Sequence, residues 1–134
     1  MSTTFLFELV SPERLLVSGD VEQVLVPGAE GDMTVLAYHA PLFTTLRPGL
    51  LDIGYPGGEH QRYFIRGGFA EIGPAGLTVL AETAVDLVEL DVGQLAQAVS
   101  EAEEDVADAS DDMLRDRAQT RLDHLRLVQT ALNL

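Results

Sequence analysis

Apolar residues in the first two thirds of the chain come in short runs, each cut by glycine, proline or a polar cluster. That spacing, about eight to twelve residues between turn signals, predicts an all-β sandwich or barrel. The expected strands are Phe5–Val10, Arg14–Val17, Val21–Val26, Thr34–Leu36, Phe43–Leu46, Leu50–Tyr55, Gln61–Arg66, Phe69–Ile72, Leu77–Ala81 and Val85–Glu89, about ten in all. Phe5–Val10 reads as apolar on both faces. Turns are expected at Ser11-Pro12-Glu13, Ser18-Gly19, Pro27-Gly28, Pro48-Gly49, Pro56-Gly57-Gly58 and Gly73–Gly76. Gly67-Gly68 interrupts a strand pattern and signals a bulge, a barrel corner or the close approach of another backbone. No βαβ unit of about 30 residues is present, so an antiparallel rather than a parallel sheet is expected.

At Asp91 the pattern changes period. Val92, Leu95, Ala96, Val99, Ala102 and Val106 recur at three and four residues, the apolar stripe of an amphipathic helix. Asp91 is a candidate N-cap. Ser110-Asp111-Asp112 interrupts and offers a fresh N-cap, and Leu114, Ala118, Leu122, Leu125, Val128 and Leu132 form a second stripe. Two helices with a short polar link predict an antiparallel hairpin. Asp111 and Arg115 are spaced for a favourable i,i+4 pair. The fold class expected is therefore mainly β with α: an antiparallel β-sandwich over 1–90 followed by a helical hairpin over 91–134.

Charge narrows the partners. The chain has 134 residues and a net charge of −14, which opposes nucleic acid and anionic membrane surfaces. A basic protein partner is compatible with it. All eight fixed positive charges are arginines. Residues 91–134 carry ten acids and four arginines, a denser negative charge than residues 1–90 with twelve acids and four arginines. Without cysteine, disulfides, thiolate metal sites and cysteine nucleophiles are excluded. Met1–Phe7 lacks the pattern of a signal or transit peptide, and no apolar run approaches the ~20 residues of a membrane helix. A soluble protein without lipid insertion is expected.

The chemistry-bearing residues do not assemble into a motif. His39, His60 and His124 lie far apart with no second ligand at metal spacing. The acids of Glu101–Asp112 lack the order of a calcium-binding loop. Gly28–Gly31 is not followed by the Lys-Ser/Thr and helix of a phosphate loop. No serine has a nucleophile-elbow context. No pair of carboxylates is singled out for acid–base work, and neither metal nor cofactor is expected.

The most loaded stretch is Val26–Leu50, where an acidic loop, Ala29-Glu30-Gly31-Asp32, precedes His39-Ala40-Pro41. Read with its surroundings, PGAEGDMTVLAYHAPL, then TTLRPGLLDI, RYFIRGGFAEI and GLTVLAETA, then a hairpin opening at Leu90-Asp91, the chain resembles the epsilon subunit of bacterial F-type ATP synthases, the delta subunit of mitochondria. The resemblance covers nearly the whole chain. It implies a non-catalytic central-stalk subunit of the rotor, coupling rotation of the membrane ring to the catalytic head through the gamma subunit. It implies a peripheral position on the cytoplasmic face of the bacterial inner membrane. Glu30, Gly31 and Asp32 correspond to the loop that meets the ring, and His39, Leu42 and Phe43 to the gamma-facing surface. Arg115, Arg117, Arg121 and Arg126 stand where a regulatory hairpin meets the catalytic subunits. They are interleaved with Asp116 and Asp123, so weak inhibition of hydrolysis is expected. Some members bind ATP through an [IL]-D-x-x-R-A motif. Here Leu90 and Asp91 match, but Gln94 replaces the arginine, and a neutral amide cannot clamp phosphate as a guanidinium does. Weak or absent ATP binding is therefore expected. The competing reading is a stand-alone acidic β-sandwich that docks a basic protein through a helical arm; a weaker third is a small hydrolase with carboxylates brought together in space.

Overall fold

The structure, a computed structural model, describes residues 3–132. The outermost residues of the two expected domains, 1–2 and 133–134, lie outside it. Eight strands are followed by two helices: β1 Phe5–Val10, β2 Leu15–Val21, β3 Gln23–Gly28, β4 Gly31–Leu36, β5 Leu42–Thr45, β6 Gly49–Gly54, β7 His60–Gly73, β8 Gly76–Asp86, α1 Val92–Asp108 and α2 Asp112–Ala131, with a 3-10 turn at Leu87–Glu89. The chain divides into two compact units, Met1–Val88 and Glu89–Leu134.

In the first unit the strands run in the order β2-β1-β8-β7-β6-β3-β4, with β5 paired to β7. Phe7, Leu9, Val21 and Val79 from one end of this sheet share a single core with Val24, Val26, Val35 and Ile53 from the other. The sheet therefore folds over on itself into a sandwich. Alternation carries this. Phe7 and Leu9 are fully buried while Leu6, next to Phe7 in the chain, is partly exposed, so β1 is half-buried and not apolar-facing on both sides as its composition suggested.

The count of about ten strands falls to eight because two expected breaks do not occur. Gln61–Arg66 and Phe69–Ile72 belong to one strand, β7, and Leu77–Ala81 continues through Glu82 as β8. β7 is shared. Its first half pairs with β6, from Gly54↔His60 to Gly49↔Ile65, and its second half with β5, from Thr45↔Phe69 to Leu42↔Ile72. The change of partner falls at Gly67-Gly68, both at positive φ (68° and 112°). β8 follows β7 throughout without losing register. A Cβ on Gly68 would lie 1.8 Å from the Leu80 carbonyl oxygen. Of the expected reasons for the paired glycines, the close approach of another backbone is the one realised.

Three further expectations are corrected. β1 and β8 pair in parallel, because strands at the start and end of the unit are joined through everything between them and need no local crossover. Ser18-Gly19 lies inside β2, with Gly19 opposite Phe7. Pro27-Gly28 closes β3 and the turn proper is Ala29-Glu30, with Gly28 opposite Gly31. Proline is tolerated there because the Pro27 carbonyl accepts from the Arg47 N–H at 3.1 Å. The missing donor falls on that same side of the strand and costs the β3–β4 ladder no bond.

In the second unit both expected caps form. The Asp91 carboxylate accepts from the Gln94 N–H at 3.0 Å, and the Asp111 carboxylate from the Leu114 N–H at 2.8 Å. Capping occupies Asp111, so Arg115 pairs with Asp112 at 3.3 Å instead of making the expected i,i+4 contact. Leu95, Val99 and Ala102 of α1 and Leu122 and Val128 of α2 are buried.

Gly68→Ala should destabilise the sandwich by ~3 kcal/mol or more, since backbone must shift and φ is unfavourable. Gly19→Ala, with open space around it and an ordinary φ, should cost under ~0.5 kcal/mol. Urea unfolding measures both; a Gly68→Ala cost as small as that of Gly19→Ala contradicts the close approach of β8.

Candidate functional site

The β3–β4 hairpin places two surfaces at its opposite ends. At the tip, Ala29 and Glu30 are exposed, and Gly31 takes φ 142° to open β4. Glu30 makes no ion pair among the described residues. Asp32 differs: Arg47, on the β5–β6 connection, donates to its carboxylate. The same connection donates its Arg47 N–H to Pro27, and Ala29 N–H donates to the Thr45 carbonyl at 2.9 Å. The tip is thus braced against β5, with Glu30 as its outward charge. Sequence reasoning treated Glu30 and Asp32 as equivalent; only three-dimensional proximity separates them.

At the other end of β4, five residues and ~17 Å away, the chain turns through Ala37-Tyr38, closed by His39 N–H to the Leu36 carbonyl at 3.2 Å. Tyr38 is a non-glycine residue at positive φ (66°) and is 95% exposed. This backbone is unfavourable for a bulky side chain. His39 Nδ1 lies 2.8 Å from the Ala40 carbonyl, an acceptor, so Nδ1 carries the hydrogen. This turn walls a cleft of about 530 Å³ with Leu6, Asp20, Leu36, Pro41 and Pro74. The cleft lies where the edge strands β2 and β4 both end a sheet. It was not foreseen; Tyr38, between the expected strand Thr34–Leu36 and His39-Ala40-Pro41, carries no signal in sequence that marks its φ.

His39 therefore belongs to the cleft wall. Leu42 and Phe43 lie on β5, 40% and 60% exposed, and Phe43 stacks at a tilt on Phe69 with centroids 5.1 Å apart. With Phe43 exposed and Phe69 half-buried, the pair offers apolar contact area to a partner.

A third constellation, also unforeseen, lies where β8 ends. The Tyr55 hydroxyl donates to Gln61 Oε1 at 2.8 Å, and Gln61 Nε2 lies 3.1 Å from both the Tyr63 hydroxyl and Asp86 Oδ2. Asp86 Oδ1 accepts from the Val88 N–H at 3.0 Å. That bond starts the 3-10 turn and ends the strand expected to run to Glu89. Burial, then the nearby Asp86 charge, pushes the Tyr55 hydroxyl above the ordinary tyrosine value of 10.0.

On the hairpin, α1 carries acids and no arginine, and α2 carries all four arginines. Arg121 reaches Asp105 at 3.9 Å and Arg126 reaches Glu103 at 3.7 Å, both between helices. Arg115 is held within α2, and Arg117 has no ion pair among the described residues. Leu90 is half-buried, and Asp91 and the Gln94 N–H are joined as a helix cap. Among the described residues no group of three His, Cys, Asp or Glu is placed to hold a metal, and no helix is long and apolar enough to cross a membrane.

A folded-over β-sandwich followed by a two-helix hairpin defines the class. Residues 4–87 match the beta-sandwich domain of the ATP synthase delta/epsilon chain, and the chain belongs to that family. It is 51% identical over 132 residues to the ATP synthase epsilon chain of Mesorhizobium japonicum, covering 98% of each. It is 54% identical over 120 residues to that of Parvibaculum lavamentivorans, covering 90% of this chain and 91% of the other. A chain in the cryo-EM structure of Euglena gracilis mitochondrial ATP synthase superposes with a TM-score of 0.85 at 30% identity, over 96% of this chain and 81% of that one. A Tetrahymena thermophila central-stalk and c-ring structure shares the fold alone, with a TM-score of 0.71 at 14% identity, over 97% of each chain.

The Asp32–Arg47 pair is largely exposed (57% and 40%), so Asp32→Asn and Arg47→Ala should each cost no more than ~1 kcal/mol. A double-mutant cycle by urea unfolding should show coupling that fades in roughly 1 M salt. Coupling that survives salt means the pair is more than a surface brace.

Proposed function

We propose that this chain is a non-catalytic central-stalk subunit of an ATP synthase, held at the cytoplasmic face of a bacterial inner membrane through its partners. The near full-length similarity to epsilon chains carries this reading. The hairpin tip, with Glu30 outward and Asp32 braced by Arg47, meets the polar loops of the membrane ring. His39, Leu42 and Phe43 face the gamma subunit. A free charge at a wet rim supplies steering and register, and the exposed apolar residues supply affinity. Glu30 and His39 lie at opposite ends of β4, and Leu42 and Phe43 on β5, the strand that braces the tip, which suits a part that transmits rotation between two neighbours. The sandwich over 1–90 folds by itself, since its core is complete within 1–88.

The hairpin over 91–134 regulates ATP hydrolysis weakly. Two of its four arginines are already matched by acids of α1, leaving little free positive charge for the catalytic head. ATP binding is weak or absent, because Asp91 serves as a cap and Gln94 brings no charge.

Expressed with gamma and the catalytic subunits, the chain should co-purify at one copy per complex. Glu30→Lys should weaken ring coupling, read as proton pumping per ATP, without lowering that stoichiometry. A chain that stays monomeric beside gamma would instead favour the stand-alone binding module. Deleting 91–134 should raise hydrolysis no more than about threefold, roughly 0.7 kcal/mol, and large activation contradicts weak regulation. Calorimetric titration should show no micromolar affinity for ATP.

A further inference from the structure

The Tyr55–Gln61–Tyr63–Asp86 network has no part in either surface proposed above. It lies at the one place where the chain leaves the sandwich. Every polar atom of the Gln61 amide is used: its oxygen accepts from Tyr55, and its nitrogen serves Tyr63 and Asp86. Both Asp86 oxygens are used as well, the second by the Val88 N–H. The contributing residues come from the β6–β7 turn, from β7 and from the last residue of β8. Immediately beyond, the environment changes within one residue, from Leu87 at 5% exposure to Val88 at 89%. A saturated polar network beside a buried Leu87 fixes one peptide, and the side chain just past it stands in solvent.

We propose that this network is a latch that fixes the chain's exit from the sandwich, with Gln61 as its positioning residue, and that opening it frees the linker 87–91 on which the helical unit is carried. The inference is independent of the identity of the partners. Its physical basis is that Asp86 does two jobs with one carboxylate. When Gln61 holds one oxygen, the rotamer that presents the other to Val88 is locked. Without Gln61 the carboxylate turns to water, the Val88 N–H loses its acceptor and the 3-10 turn frays.

Hydrogen exchange on the full chain tests this, read at Val88 and, as a control, at Ile53, Ile65 and Val79 in the core. Gln61→Glu and Asp86→Asn each replace one partner with a repelling or mismatched group. Each should speed Val88 exchange by about tenfold and leave the core amides within about twofold. Combined, Gln61→Glu with Asp86→Asn exchanges donor for acceptor and restores the pairing, so protection at Val88 should return to within about threefold of the parent. Cleavage after Glu89 by a glutamate-specific protease should track the same order. The proposal is overturned if the single variants leave Val88 unchanged, if the core amides accelerate as much as Val88, or if the double variant is no better than the singles.

Discussion

The change of partner along β7 is the constraint on which the sandwich depends. One strand hydrogen-bonds to β6 over its first half and to β5 over its second, while β8 accompanies both halves. At the change of partner β8 comes within contact of the strand's own Cα. Gly67 and Gly68 allow this at positive φ with no side chain in the way. Because β5 and β6 share β7, and β6 also pairs with β3, their connection, with Arg47, lies against the end of β3. The brace on the acidic tip therefore rests on pairings set far from it in sequence.

How much of this could be read beforehand differs by kind of interaction. The two halves, the helix caps at Asp91 and Asp111 and most turns obey local rules, because the groups involved are within four residues of one another. The continuity of β7 and β8 was not legible. Glycine pairs and the polar Glu82-Thr83 look like breaks until a neighbouring strand is known to run past them. The parallel β1–β8 pair was hidden for the same reason, since it joins the first strand of the unit to the last.

Among the site residues, Glu30, Gly31 and Asp32 could be found as a loop, but not the division of labour between a free Glu30 and a held Asp32. His39 stands out by motif, and Tyr38 beside it does not, although its backbone and exposure make it the more unusual residue. The Gln61 network was silent in sequence, because four common polar residues spread over 32 positions carry no pattern. Long-range polar matching is set by topology, which the one-dimensional pattern constrains only loosely.

The segregation of charge between α1 and α2 has a consequence beyond the arginines themselves. The sandwich is held by apolar burial and a backbone ladder, neither of which depends much on ionic strength. The hairpin adds to its apolar contacts two half-exposed ion pairs that span the helices, and these weaken as salt rises. In the sandwich the salt-sensitive Asp32–Arg47 pair braces only an exposed tip, while in the hairpin the salt-sensitive pairs join one helix to the other. A rise in salt would release the tip in the one part and loosen the seam between the helices in the other.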